Sequence, residues 1–203
     1  EKKWYDYNQS SKAVQSSGFV QPLLGLDVWA GSNTDRHKQR EGNTILVTSL
    51  KMDGLAYIDQ DFASPDSNNI VRLMLVQMLD DCHDAPVITD ILDDATPTYN
   101  SFYKIKGNRR YKVHYDRRFH LQNVVQIPAG QTYNTPTATE KFRHRFIIDA
   151  KIPAKGLKVE YAQGSISGNG PVKNGLYLVG ISDSAIVSHP AIVFKSRMRF
   201  LDN

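Results

Sequence analysis

Three short runs in this chain have residue types and spacing that could do chemistry. The first is Asp80-Asp81-Cys82-His83-Asp84. Carboxylates with histidine can hold zinc, and clustered aspartates can hold calcium. No second ligand pair follows at a recognised spacing, and the calcium-loop pattern is missing. The expectation is a solvated or subunit-contact acidic loop at Asp80, Asp81 and Asp84, with no metal and no cofactor; calcium shared between subunits is the alternative. Cys82 as a nucleophile would need an adjacent base. His83 is its neighbour in sequence, but successive residues on a strand point to opposite faces. The second run is His114, Asp116 and His120, at even positions of an alternating segment, which suggests acid–base chemistry. Arg110, Lys112 and Arg118 share those positions, so a polar outer strand face is the simpler reading.

The third run has more content. In VFKSRMRFL, Lys195, Arg197 and Arg199 fall at i, i+2 and i+4, and Phe194, Met198 and Phe200 occupy the alternate positions. On a strand this makes one cationic face and one mostly apolar face. A weaker case is Lys141, Arg143 and Arg145. Like charges in a row repel, so something anionic is expected opposite them, and a phosphate backbone is the obvious candidate. The alternative is a solvent-facing strand whose Lys and Arg blunt a sheet edge. Enzyme signatures are missing: there is no G-x-G-x-x-G, no phosphate-cradling G-x-x-x-x-G-K-[ST], no H-E-x-x-H and no G-x-S-x-G. The chain reads as a non-enzyme.

The elements that must carry these residues are short strands. Period-two alternation marks Ile45 to Met52, Asn69 to Leu79, Arg109 to Leu121 and Lys141 to Asp149. LKVEYA, GLYLVGIS and PAIVFKSRMRFL follow, and WYDYNQ and GFVQPLLGLDVW add one or two more near the start. In the segment 109–121, Tyr111, Val113, Tyr115, Phe119 and Leu121 share the apolar face. Only Pro86 to Asp94 has helical spacing, with Ile88, Ile91 and Leu92 at i, i+3 and i+4. Gly-, Pro- and Asn-rich turns separate the strands. About eight strands with almost no helix indicate an antiparallel sandwich or barrel.

The chain has 203 residues, enough for one domain spanning 1–203 with a sizeable core. Its single cysteine excludes a disulfide-built scaffold, and a reducing compartment such as cytosol or nucleus is expected. Mean hydropathy is −0.43 and no apolar run is long enough to span a membrane, so no membrane insertion is expected. The net charge of +4 permits a polyanionic partner without demanding one.

Read in order, several blocks resemble one family. The opening EKKWYDY is similar to a charged, aromatic lead-in to a first strand. Gln39-Arg40-Glu41-Gly42-Asn43-Thr44-Ile45 resembles a Q-R-x-G turn before a long strand. VRLMLVQMLDDCHDAPVITDIL resembles an arginine-led apolar strand, a polar loop and a Pro-initiated short helix. NSFYKIKGNRRYKVHYDRRFHL, EKFRHRFIIDAKIPAKGLKVEYA, GLYLVGISDS and IVFKSRMRFLDN follow in family order. Together they resemble the capsid protein of small circular single-stranded DNA viruses, the circovirus-like and geminivirus-like CRESS-DNA group. Capsids of plant satellite RNA viruses are similar in the Q-R-x-G block and in overall order.

The resemblance implies an all-β, eight-stranded antiparallel jelly roll with very little helix. It implies a virion protein, assembled in the host nucleus, that closes into a small icosahedral (T=1-like) homo-oligomer of about sixty copies. The shell would enclose a single-stranded DNA genome; the receptor is unknown. It also implies a basic arm before residue 1. Under this reading Lys195, Arg197, Arg199, Lys2, Lys3, Trp4, Arg72, Lys141, Arg143 and Arg145 are the expected nucleic-acid contacts. Phe62, Tyr99, Phe102 and Tyr133 are guesses at subunit contacts. The alternatives are a satellite RNA virus capsid and a non-viral jelly-roll carbohydrate-binding module. Such a module would expose Trp4 or Trp29, both of which also fit a core.

Overall fold

A computed structural model describes residues 2–26, 39–58, 68–79, 86–105, 110–122, 143–162, 171–185 and 189–202. The strands are β1 (Lys2–Ala13), β2 (Phe19–Pro22), β3 (Thr44–Ile58), β4 (Asn68–Met78), β5 (Tyr111–Gln122), β6 (Arg143–Asp149), β7 (Leu157–Glu160), β8 (Leu176–Ser182) and β9 (Pro190–Asp202). One helical turn, α1 (Ile88–Ile91), lies between β4 and β5. No helix among the described residues is long and apolar enough to cross a membrane.

Every strand pairing is antiparallel. One sheet runs β1-β9-β3-β6, with β7 also on β3; the other runs β2-β8-β4-β5. β6 pairs with Lys51–Tyr57 and β7 with Thr44–Val47, so the two share one side of β3 end to end. Taken as one interrupted strand, they leave four strand positions per sheet. Outside the β4–β5 step the chain passes from one sheet to the other at each connection. This order is the double-sheet jelly roll.

Alternation explains which residues meet between the sheets. Phe194, Met198 and Phe200 from β9, Phe146 and Ile148 from β6, and Ile45, Val47, Leu50 and Met52 from β3 point inward. They pack on Val71, Leu73, Leu75, Phe119, Leu121, Leu176 and Leu178 of the other sheet. β3 continues six residues past the expected Met52, through Asp53-Gly54. Gly54 is inward, and a Cβ there would lie 2.5 Å from the Phe146 ring and 2.7 Å from Phe194 Cβ. The glycine makes room for the Phe146 ring and for the backbone of β9 alongside, and does not turn the chain.

β5 departs from the sequence expectation. Its register against β4 shifts between Leu75 and Val76, where Tyr115 and Val113 are the successive partners. His114 is therefore the extra residue of a β-bulge, and a one-residue slip moves every later side chain to the other face. Tyr115, Phe119 and Leu121 face the space between the sheets. Tyr111 instead joins a second cluster with Met74, Val76, Met78, Tyr177, Val179 and Ile181. The apolar residues of 109–121 do not share one face.

The second cluster lies on the outer face of the β2-β8-β4-β5 sheet, and the segment 86–105 covers it. Ile91 and Leu92 are buried there, with Ile88, Tyr99 and Tyr103 packed around them. The helix is shorter than the expected 86–94; Leu92 is already extended and bridges Tyr103.

Candidate nucleic-acid interface

The outer face of the β1-β9-β3-β6 sheet has no such cover among the described residues. Lys195, Arg197 and Arg199 alternate as exposed positions with buried Phe194, Ser196, Met198 and Phe200. β9 lies between β1 and β3, so its cations do not blunt a sheet edge. Register sets their neighbours. Trp4 is opposite Arg199, Asp6 opposite Arg197 and Asn8 opposite Lys195. On the other side Ser49 meets Arg199, Lys51 meets Arg197 and Asp53 meets Lys195. On β6, Asp149 is opposite Lys51, and Arg143 and Arg145 also point outward.

The outward positions of these strands hold Lys2, Lys51, Arg143, Arg145, Lys158, Lys195, Arg197 and Arg199. Against them stand Asp6, Asp53, Asp149 and Glu160, leaving an excess of four positive charges among the described residues.

The cations are not equivalent. Arg197 closes bidentately on Asp6, with Nε 2.7 Å from Oδ1 and a second nitrogen 2.6 Å from Oδ2. Arg145 forks onto Asp53 in the same way, and its guanidinium holds the Asp53 carboxyl below the usual carboxylate range. Lys51 lies 3.5 Å from Asp149, and Lys158 lies 2.9 Å from Glu160. Lys2, Lys195 and Arg199 form no ion pair among the described residues.

Two expected contacts prove to be internal. Lys3 is one position out of phase with Lys2 and Trp4, so it points inward and is only 2% exposed. Its ammonium lies 2.9 Å from Glu41 Oε1 and 2.9 Å from Asp202 Oδ2, and also donates to the Gln39 carbonyl. Burial alone would lower its pKa, but the hydrogen bonds to Glu41 and Asp202 outweigh that and hold it above its ordinary value. Lys3 ties the first strand, the last strand and the Gln39–Gly42 turn together. In the same turn Arg40 is buried against the Tyr161 ring, 4.4 Å from its centre, and donates to the Gly42 carbonyl at 2.7 Å.

Arg72 is 3% exposed. It reaches Asp116 at 2.9 and 2.7 Å, donates to the Ser101 carbonyl at 2.6 Å and stacks over Tyr103. Tyr103 donates to Asp116 at 2.6 Å. Burial would raise the Asp116 carboxyl, but the hydrogen bonds from Arg72 and Tyr103 win and hold it low. This arginine fastens the covering segment to its sheet and offers nothing to a phosphate.

The acid–base reading of His114, Asp116 and His120 gains nothing from the geometry. Asp116 is held by Arg72 and Tyr103, His114 pairs with Gln77 at 3.0 Å, and His120 is exposed. Among the described residues no three His, Cys, Asp or Glu side chains gather as a metal site. Asp80, Asp81, Cys82, His83, Asp84, Lys141, Trp29, Phe62 and Tyr133 lie outside the described residues. Of the other guessed contacts, Tyr99 packs onto the second cluster, while Phe102 is 84% exposed.

Sequence reasoning missed Lys51, Lys158 and Thr48. Only strand register brings the two lysines to this face. Thr48 sits at a second register shift, between Val47 and Ser49, and its hydroxyl donates to the Arg199 carbonyl at 3.1 Å.

No family model and no curated protein matches the chain. Among solved structures it is similar to that of Desmodium yellow mottle tymovirus, at 11% identity and a TM-score of 0.41, over 100% of this chain and 87% of that one. A second similarity is to the VP1 pentamer of human polyomavirus 6, at 8% identity and a TM-score of 0.23, over 98% of this chain and 93% of that one.

Proposed function

We propose that this chain is a viral capsid subunit. It self-assembles into a small icosahedral shell of about sixty copies and holds single-stranded DNA against the bare face of its β1-β9-β3-β6 sheet. No catalysis is involved, and the place of the protein is the virion. The observation that supports this reading best is the asymmetry between the two outer sheet faces. One is apolar and sealed by the segment 86–105. The other is open and, among the described residues, carries an excess of four positive charges.

Phosphate contacts position a nucleic acid without reading its sequence. Binding should therefore be sequence-tolerant and fall steeply with salt. The test is size-exclusion chromatography with electron microscopy of the purified chain, with and without added oligonucleotide. Uniform closed particles are expected. A stable monomer of about 23 kDa at high protein concentration and moderate salt would sink the reading. Single-stranded DNA and RNA run as parallel arms decide which genome the shell prefers.

A further inference from the structure

Beside Trp4 the bare sheet face is not flat. Lys2, Trp4, Thr48, Arg199 and Leu201 border a concavity of about 650 Å³. That is within the size range of small-ligand sites, roughly 300–1,000 Å³. Its origin is local. Thr48 is the extra residue where β3 passes Arg199, and bulges of this kind bend a strand and re-aim its side chains. Trp4 is directly opposite Arg199 in the β1–β9 register, and Lys2 is two residues along on the same face. The indole is 43% exposed. Leu201 adds apolar surface to the lining, and the Thr48 hydroxyl is engaged by the Arg199 carbonyl.

We infer that this concavity is a nucleotide subsite, in which one unpaired base lies on the Trp4 indole while the adjoining phosphate is held by Arg199 and Lys2. The inference rests on the proposed nucleic-acid role of this face and adds a selectivity to it. A cationic sheet alone binds any polyanion, whereas an aromatic platform between two cations rewards an unstacked base. Bases in a duplex are already stacked and cannot reach it. Arg197 belongs to the same wall but is closed on Asp6; it braces the strand pair and is not the principal phosphate ligand.

The experiment compares the parent with Trp4→Ala, Trp4→Phe and Arg199→Ser. The probes are a single-stranded oligothymidylate, a blunt duplex of the same length and heparin, which has the charge but no bases. Trp4→Ala should weaken oligothymidylate binding about tenfold, leave heparin within about twofold and leave the salt slope unchanged. Trp4→Phe, which keeps a ring, should recover most of the loss. Arg199→Ser should lower the salt slope for every probe by about one unit. In a Trp29→Phe background, oligothymidylate should quench Trp4 fluorescence and heparin should not. Circular dichroism confirms that each variant is folded. If Trp4→Ala binds oligothymidylate as the parent does, while Arg199→Ser weakens it, the subsite is wrong and the basic face stands. If the parent binds none of the probes, the basic face itself is wrong.

Discussion

At residue scale, parity decides which cations can meet a partner. Lys2 and Lys3 are adjacent and chemically identical, yet one is exposed and the other is enclosed by Glu41 and Asp202. Removing the charge of Lys3 takes away the ammonium that Glu41 and Asp202 share inside the fold. Lys3→Ala should cost roughly 3–5 kcal/mol, the usual penalty for breaking a buried pair, read from urea unfolding. The contribution of Lys3 has a definite pH window. Its pKa is raised on folding, so its stabilisation is complete below the ordinary value of 10.5 and is lost as pH rises through the folded value. Asp116 runs the opposite way. Its pKa is lowered on folding, so its contribution is present above the ordinary 3.8 and is lost as pH falls through the folded value. Melting temperature against pH should therefore show a steeper acid-side fall in the parent than in Asp116→Asn, and equal slopes would exclude this role for the Arg72–Asp116 pair.

Elements were legible in sequence wherever alternation was uninterrupted. β4, β8 and β9 fall within a residue or so of the apolar runs that announce them, and the cationic stripe of β9 faces as its spacing requires. Bulges were not legible. The one at His114 and the one at Thr48 are set by pairing with distant strands, and no local residue type marks either. Hence the faces of β5 were misassigned and the concavity beside Trp4 was invisible. Lys3 was different, because the alternation of Trp4, Asp6 and Asn8 with Tyr5 and Tyr7 already implied that it points inward. Two substitutions test the packing that positions the stripe. Phe200→Ala should destabilise by roughly 3–5 kcal/mol. Gly54→Val, which drives a side chain into Phe146 and Phe194, should cost roughly 1–3 kcal/mol through overpacking. Chemical denaturation at neutral pH reads both, and a neutral Gly54→Val would mean that β3 is free to shift away from those rings.

For the whole molecule, the jelly roll leaves two outer sheet faces, and the chain treats them differently. Arg72 and Asp116 fasten the segment 86–105 over one of them. The other keeps, among the described residues, an excess of four positive charges in the open. If that face lines a shell, nucleic acid supplies the missing counter-charge, and losing cations should empty the shell without preventing its closure. The decisive measurement is the ratio of nucleic-acid to protein ultraviolet absorbance in nuclease-treated particles of the triple variant Lys195→Ser, Arg197→Ser, Arg199→Ser. All three side chains are exposed, and the buried half of β9 is untouched. The expected result is closed particles of parental size with a clearly lower ratio at physiological salt. Particles that package as much nucleic acid as the parent would contradict the assignment of the genome to this sheet.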